Sequence, residues 1–191
     1  MNKAVFLDRD GTLNFDVGYL SKVEDIYIFD GVVESLKSLK DSKFLNIIVT
    51  NQSGIARGYF NLFTLKTIHE KFLNILSLDG ECLVDDIFFS PYHKDGIVEK
   101  YSIDSNCRKP GTGMIEQAAA KHNIDLSESW LIGDSLVDMQ CARSSNLKKV
   151  LVKTGYGLKT IDECAKLNLE IEFIAENFSE ASEFIHSVNN R

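Results

Sequence analysis

Ala4-Val5-Phe6-Leu7-Asp8-Arg9-Asp10-Gly11-Thr12 sets a short apolar run directly against two acids, an arginine and a glycine. Four consecutive apolar residues bounded at once by polar and turn-forming types read as a strand buried on both faces. Outward from this stretch, strand-like and helical patterns alternate. Val32, Val33, Leu36 and Leu39 recur at helical spacing, and Phe44–Val49 is strand-like. Leu62, Leu65, Ile68, Phe72, Ile75 and Leu76 mark an amphipathic helix with Asn61 as its N-cap. Ile87–Phe89, Trp130–Ile132, Val150–Val152 and Phe173–Ala175 read as further strands, with Trp130 in the core. Helical patterns fall at Met114, Ile115, Ala118 and Ala119, from Leu136 to Ala142, and from Phe178 to Val188. Such alternation predicts βαβ units, hence an α/β fold: a doubly wound, Rossmann-like parallel sheet with helices on both faces. Ligands of such a sheet sit beyond the carboxyl ends of its strands.

With 191 residues, 44% of them apolar, the chain is expected to form one domain, 1–191, whose core needs no disulfides. Lysine and arginine number 21 against 28 acids, a formal net charge of −7. That balance argues against broad electrostatic binding to nucleic acid or an anionic membrane, and leaves room for a small cationic pocket. Cys82, Cys107, Cys141 and Cys164 show no paired spacing, which points to a reducing compartment. Ala4–Leu7 is too short for a signal-peptide core, and no apolar run approaches the roughly 18 residues of a membrane span. The expectation is a soluble cytoplasmic protein. It is expected to be a monomer, because no long apolar stripe is left once the core is assigned.

The residues just past each strand carry the chemistry. Ala4–Leu7 is followed by Asp8-Arg9-Asp10-Gly11-Thr12, and Phe44–Val49 by Thr50-Asn51-Gln52-Ser53-Gly54. After Ile87–Phe89 a long segment ends in Cys107-Arg108-Lys109-Pro110-Gly111, and Trp130–Ile132 runs into Gly133-Asp134-Ser135, with Asp138 one turn on. In a parallel sheet these ends lie side by side. Asp8 and Asp10, two apart, point the same way if the backbone stays extended. With Asp134 they offer hard oxygen ligands suited to Mg²⁺ together with waters and a substrate phosphate. Asp8 then serves as a nucleophile towards phosphorus and Asp10 as general acid and base. Thr50 and the backbone N–H groups of Asn51, Gln52 and Ser53 are expected to bind phosphoryl oxygens, while Lys109 faces the charge that develops in the transition state.

Each piece alone has a plainer reading. An acid-x-acid pair in a chain with 28 acids is commonly a solvated turn, Thr50–Gly54 is ordinary turn chemistry, and Asp134 suits a helix N-cap. What counts is the set: four strand ends in order, each bearing the group required.

On these residues the chain resembles the haloacid dehalogenase superfamily of phosphatases. Asp8-Arg9-Asp10-Gly11-Thr12 resembles its first motif, Thr50 its second, Lys109 its third, and Gly133-Asp134-x-x-x-Asp138 its fourth. The resemblance implies Asp8 as nucleophile, Asp10 as acid/base, and Thr50 and Lys109 as phosphoryl stabilisers. Mg²⁺ is then held by Asp8, the Asp10 carbonyl and Asp134, with Asp138 behind them. Asn14-x-Asp16-x-Gly18-Tyr19, Thr50 through Gly58 and Cys107-Arg108-Lys109-Pro110 are similar to the heptose 1,7-bisphosphate 7-phosphatase branch, from about Ala4 to Gly155. That branch implies a small sugar bisphosphate as substrate, the 7-phosphate leaving before the sugar 1-phosphate is activated with a nucleotide, as in lipopolysaccharide heptose synthesis. A second phosphate needs a second anion contact, for which Arg108 is the first candidate and Arg57 the other. Asp16 and Tyr19 bound the sugar pocket, with loop packing as the alternative for Tyr19. No large cap insertion is visible.

Relatives often carry a structural zinc before the lysine. Here the corresponding positions are Ser90, Tyr92, Ser105 and Cys107, with His93 one place off, so no structural zinc is expected. Packing of Tyr92 and Tyr101 is the expected substitute that orders residues 91–109. Ser135 stands where close relatives often have lysine. His69, His122 and His186 are expected to be surface or capping residues. Two other functions compete: histidinol-phosphate hydrolysis, and a non-catalytic sugar-phosphate binding module, which needs a broken catalytic set. A nucleic-acid end-processing role lacks the basic stripe and aromatic platform it requires.

Overall fold

The computed structural model describes residues 1–189. Six parallel strands form the central sheet. They are β1 (Lys3–Leu7), β2 (Phe44–Asn51), β5 (Asp86–Ser90), β6 (Trp130–Gly133), β7 (Lys148–Val152) and β8 (Phe173–Ala175), in the spatial order β5-β2-β1-β6-β7-β8. Their side chains alternate between two cores, as the period of two requires. Val5 and Leu7 face a cluster with Leu36 and Leu39 of α1 (Val32–Asp41), Phe72 of α2 (Leu62–Ile75) and Phe178 and Ile185 of α6 (Phe178–Asn189). Ala4 and Phe6 face Met114 and Ile115 of α3 (Gly113–His122), Met139 of α4 (Leu136–Ser144) and Cys164 of α5 (Gly157–Lys166). Trp130 is in the first core, 5% exposed. Asn61 caps α2, its side chain accepting the Thr64 N–H at 2.9 Å.

Two elements were not foreseen from sequence. A two-stranded hairpin, β3 (Ser77–Leu78) with β4 (Glu81–Cys82), follows α2. Helix α5 fills the crossover to β8, and its apolar positions Leu158, Ile161 and Cys164 are spaced three apart among polar residues.

The chain runs from β1 outward to β2 and β5, then returns past β1 to build β6, β7 and β8 on the other side. The direction of strand order therefore reverses between β1 and β6, the place where an open α/β sheet leaves a crevice. Asp8 lies at the end of β1 and Asp134 at the end of β6, and the Asp8 N–H donates to the Ile132 carbonyl at 2.9 Å.

Candidate active site

A hollow of about 150 Å³ opens at this switch point, lined by Asp8, Asp10, Asp16, Thr50, Asn51, Lys109, Asp134, Ser135, Asp138 and Tyr156, with Gly18 and Val137. A larger groove of about 480 Å³ lies between α2 and β5. Its walls include Leu62, Leu73, Ile87 and Phe89, and its acids Asp85 and Asp86 are paired with Lys40 and Lys121. Carboxylates, a hydroxyl and an ammonium converge in the smaller hollow.

Lys109 reaches that hollow from the end of a long segment. Its Nζ donates to Asp8 Oδ1 at 2.6 Å and to the Val49 carbonyl at 2.7 Å. It also forms an ion pair with Asp138 Oδ1 at 2.6 Å, off hydrogen-bond alignment. The side chain is 2% exposed, and Asn51 holds the backbone on both sides, Nδ2 donating to the Lys109 carbonyl and Oδ1 accepting its N–H, each at 3.0 Å. The Asn51 side chain thus places the lysine. Burial opposes the ammonium charge, but Asp138 and Asp8 outweigh it and raise the pKa.

Carboxyl oxygens of Asp8, Asp134 and Asp138 all lie within 4.8 Å of one another. Burial raises the Asp8 carboxyl well above its ordinary value, with the Asp138 and Asp134 charges adding and Lys109 only partly offsetting. Burial, then Asp138, pushes Asp134 up to about 7 despite the Tyr156 N–H donated to its Oδ2 at 2.7 Å. One ammonium among three carboxylates leaves a deficit of positive charge, and hard oxygen donors in that state fit a divalent cation such as Mg²⁺. Gly11 and Gly155, both at positive φ (84° and 57°), let backbone close around the Asp134 carboxylate; a Cβ at either would stand 2.3 or 2.0 Å from its Oδ2. Asp138 closes a capping box at the start of α4, its Oδ2 accepting the Ser135 N–H at 3.1 Å and the Ser135 hydroxyl.

Asp10 departs from the extended-strand expectation. Strand β1 ends at Leu7, and the chain turns through Asp10–Asn14, with Leu13 N–H on the Arg9 carbonyl and Gly11 N–H on the Asn14 carbonyl. The Asp10 side chain lines the hollow but stands outside the acidic cluster. Its oxygens accept from Arg9 Nε (3.1 Å), Arg9 Nη2 (2.6 Å), Asn14 Nδ2 (3.0 Å) and Gln52 Nε2 (3.0 Å). Burial alone would raise this carboxyl; the Arg9 charge and these hydrogen bonds overcome it and hold the pKa below the ordinary value. Gln52 Nε2 also donates to Thr50 Oγ1 at 2.8 Å, so the threonine hydroxyl keeps its own proton for another acceptor.

His69 corrects the sequence reading. It is not a surface residue: it is 9% exposed on the inner face of α2, where its Nε2 meets Arg9 Nη1 at 3.3 Å. Burial and then the Arg9 charge depress its pKa to about 3, so the ring is neutral. The outer substrate candidates lie apart from the acidic cluster. Tyr19 packs on Tyr59, ring centroids 4.5 Å apart, and Gln52, Ser53, Arg57 and Arg108 lie outside the lining of the hollow. Sequence reading missed Tyr156. The one available signal was Gly155 beside it, since the loop after β7 reaches Asp134 only through the strand order.

Residues 91–109 are ordered chiefly by main-chain bonds. The Ala56 carbonyl accepts Ile97 N–H (2.8 Å) and Val98 N–H (2.9 Å), and His93 N–H reaches the Tyr101 carbonyl (3.1 Å). Tyr92 and Tyr101 do meet, at 6.1 Å between centroids, while Arg57 Nη2 contacts His93 Nε2 at 3.1 Å.

A family model described as HAD-hydrolase-like matches residues 106–181. The chain is 44% identical over 154 residues to a D-glycero-beta-D-manno-heptose-1,7-bisphosphate 7-phosphatase of Haemophilus ducreyi, covering 80% of this chain and 84% of that one. Identity to the enzyme of that name from Escherichia coli (strain K12) is 41% over 153 residues, 80% of each chain. The crystal structure of D,D-heptose 1,7-bisphosphate phosphatase from B. bronchiseptica, complexed with magnesium and phosphate, superposes with a TM-score of 0.85 at 32% identity, covering 97% of this chain and 99% of that one. With its strand-end acids and lysine gathered at one switch point and relatives of this closeness along most of its length, the chain belongs to the HAD phosphatase family, on the branch that holds the heptose-bisphosphate phosphatases.

Proposed function

We propose that this protein is a phosphohydrolase that removes the 7-phosphate of D-glycero-D-manno-heptose 1,7-bisphosphate through an aspartyl-phosphate on Asp8. The observation that carries the reading is the 2.6 Å contact of Lys109 Nζ with Asp8 Oδ1 inside an acidic cluster at the β1/β6 crevice. The Asp8 carboxylate attacks phosphorus, and the bond from phosphorus to the C7 oxygen breaks. Asp10, ionised beside Arg9 in the free protein, takes up a proton as the phosphate binds, supplies it to that oxygen, then takes one from the water that cleaves the acyl phosphate and frees inorganic phosphate. Thr50 and Lys109 donate to the phosphoryl oxygens, the lysine being placed by Asn51. Asp8, Asp134 and the Asp10 carbonyl would hold Mg²⁺, and Asp138 would fix Lys109 from behind. Bound there, Mg²⁺ supplies the positive charge that lets an anionic phosphate approach three carboxylates.

The hollow admits only the reacting end of a substrate, and the rest must lie at its mouth. Two guanidiniums support a second anion contact there. Among the described residues neither Arg57 nor Arg108 has an ion-pair partner, and Arg57 Nε is buried without a hydrogen bond. Burial and then the Arg57 charge lower the pKa of Arg108, a state that an incoming phosphate relieves. Asp16 and Tyr156 line the hollow, suited to sugar hydroxyls. The named relatives favour the heptose reading over histidinol phosphate, and an intact Asp8, Asp10, Lys109 and Asp134 set speaks against a purely binding role. The deciding experiment is phosphate release from both heptose bisphosphate anomers and histidinol phosphate, each with Mg²⁺, by wild type and Asp8→Asn. Equal release by the two proteins rejects the nucleophile.

A further inference from the structure

Arg9 is wholly buried, 0% exposed, though it sits in the turn between the two catalytic aspartates. A guanidinium so placed is costly unless every donor is answered. Its Nε and Nη2 take both oxygens of Asp10, and its Nη1 takes His69 Nε2, 60 residues away on α2. Because a guanidinium only donates, His69 must accept at Nε2 and carry its proton on Nδ1. The ring is itself braced edge-on by Phe89 of β5, centroids 5.6 Å apart at 68°. Leu65, Ile68 and Phe72 are the other buried residues of α2, so a lone polar ring on that face answers a specific donor.

We infer that His69 is a positioning residue that acts through Arg9 to hold the Asp10 carboxylate where it transfers protons. The geometry forms a chain of fixed parts: α2 and Phe89 fix the imidazole, the imidazole fixes one arm of the guanidinium, and the other two arms fix Asp10. Lacking His69, the guanidinium can rotate about its stem and carry the carboxylate with it. This inference rests on the phosphohydrolase reading above and adds a residue outside the hollow to its machinery.

The experiment separates proton delivery from mere structure by the leaving group. An alkoxide must be protonated as it departs, whereas para-nitrophenolate departs without help. kcat/KM with Mg²⁺ is measured on the heptose bisphosphate and on para-nitrophenyl phosphate for wild type, His69→Leu and His69→Gln. His69→Leu is expected to lower kcat/KM on the sugar ester about tenfold more than on the aryl ester, part of the usual worth of general acid catalysis. His69→Gln, whose amide oxygen accepts from Arg9, is expected to restore the ratio to within about threefold of wild type. Equal losses on both esters, or no rescue by glutamine, overturn the inference. If His69→Leu does not fold, Arg9→Lys carries the same comparison, and an unchanged ratio in it also overturns the inference. Failure of wild type to cleave the sugar ester while cleaving the aryl ester overturns the substrate reading instead, and the His69 comparison then runs on a simple primary alkyl phosphate.

Discussion

Lys109 and Asp8 are 101 positions apart in the chain and 2.6 Å apart in space. The ammonium also touches Asp138 and the Val49 carbonyl, so one side chain ties the ends of β1 and β2 to the start of α4. Lys109→Met leaves buried carboxylates facing each other without a counter-charge. We expect a loss of about 3–5 kcal/mol in stability and at least about a hundredfold in kcat, read by denaturant unfolding and by phosphate release. Retained stability in metal-free buffer would contradict the burial argument.

Asp8→Asn separates catalysis from folding in the opposite way. Burial and two neighbouring acids raise the Asp8 carboxyl, so its charge is a liability in the metal-free fold. The amide is expected to reduce turnover about a thousandfold or more while leaving the unfolding midpoint without Mg²⁺ unchanged or higher. A large fall in that midpoint would show that the ion pair with Lys109 outweighs the cost of burial.

The same crowding makes metal binding depend on pH. Asp134 titrates near 7 in the folded chain, against about 3.9 when unfolded. Between those values the folded state holds more protons, so this group's stabilising contribution is full below about pH 4 and is lost as pH rises towards 7. Mg²⁺ requires the ionised form and expels that proton. Calorimetric titration in buffers of different ionisation heat is expected to show more proton release at pH 6 than at pH 8, with tighter binding at the higher pH. A proton count independent of pH would refute this assignment.

Gly11→Ala tests the fit around Asp134. Its Cβ would stand 2.3 Å from the carboxylate at a φ of 84°. We expect destabilisation of about 1–3 kcal/mol and at least tenfold weaker Mg²⁺ binding, of the order seen when ligand support is lost. Thermal unfolding with and without Mg²⁺ measures both.

Tyr156→Phe tests the rim. The Asp16 charge faces the Tyr156 phenol and, ahead of burial, raises its pKa. Removing the hydroxyl is expected to raise KM for the sugar bisphosphate about fivefold, the worth of one hydrogen bond, without altering KM for para-nitrophenyl phosphate. An equal change on both substrates would make Tyr156 a structural residue only.

Much of this was legible in the chain itself. Apolar runs located all six strands of the main sheet, and their polar sequels named Asp8, Asp10, Thr50, Lys109 and Asp134, because a parallel sheet must gather its carboxyl ends. Asn61 was readable as a cap since its chemistry is local. Contacts created only by packing were not. His69 looks like any polar residue on an amphipathic helix until α2 turns it onto Arg9, and Tyr156 reaches Asp134 only through strand order. Asp10 lines the hollow with Asp8, but through a turn and not through period-two alternation, which stops where β1 stops. Helix α5 hid behind a mostly polar sequence, and the β3–β4 hairpin is only two residues long on each side.

The segment that carries Lys109 is stitched to the end of β2 and the loop after it at three points: Asn51 on the lysine backbone, the Ala56 carbonyl on two amides, and Arg57 on His93. The positions of Thr50 and Lys109 are consequently fixed relative to each other by the same set of bonds. The remainder of the hollow's wall comes from elsewhere in the chain, with Asp16, Gly18 and Tyr156 contributed by the turns after β1 and β7, which share none of these three bonds.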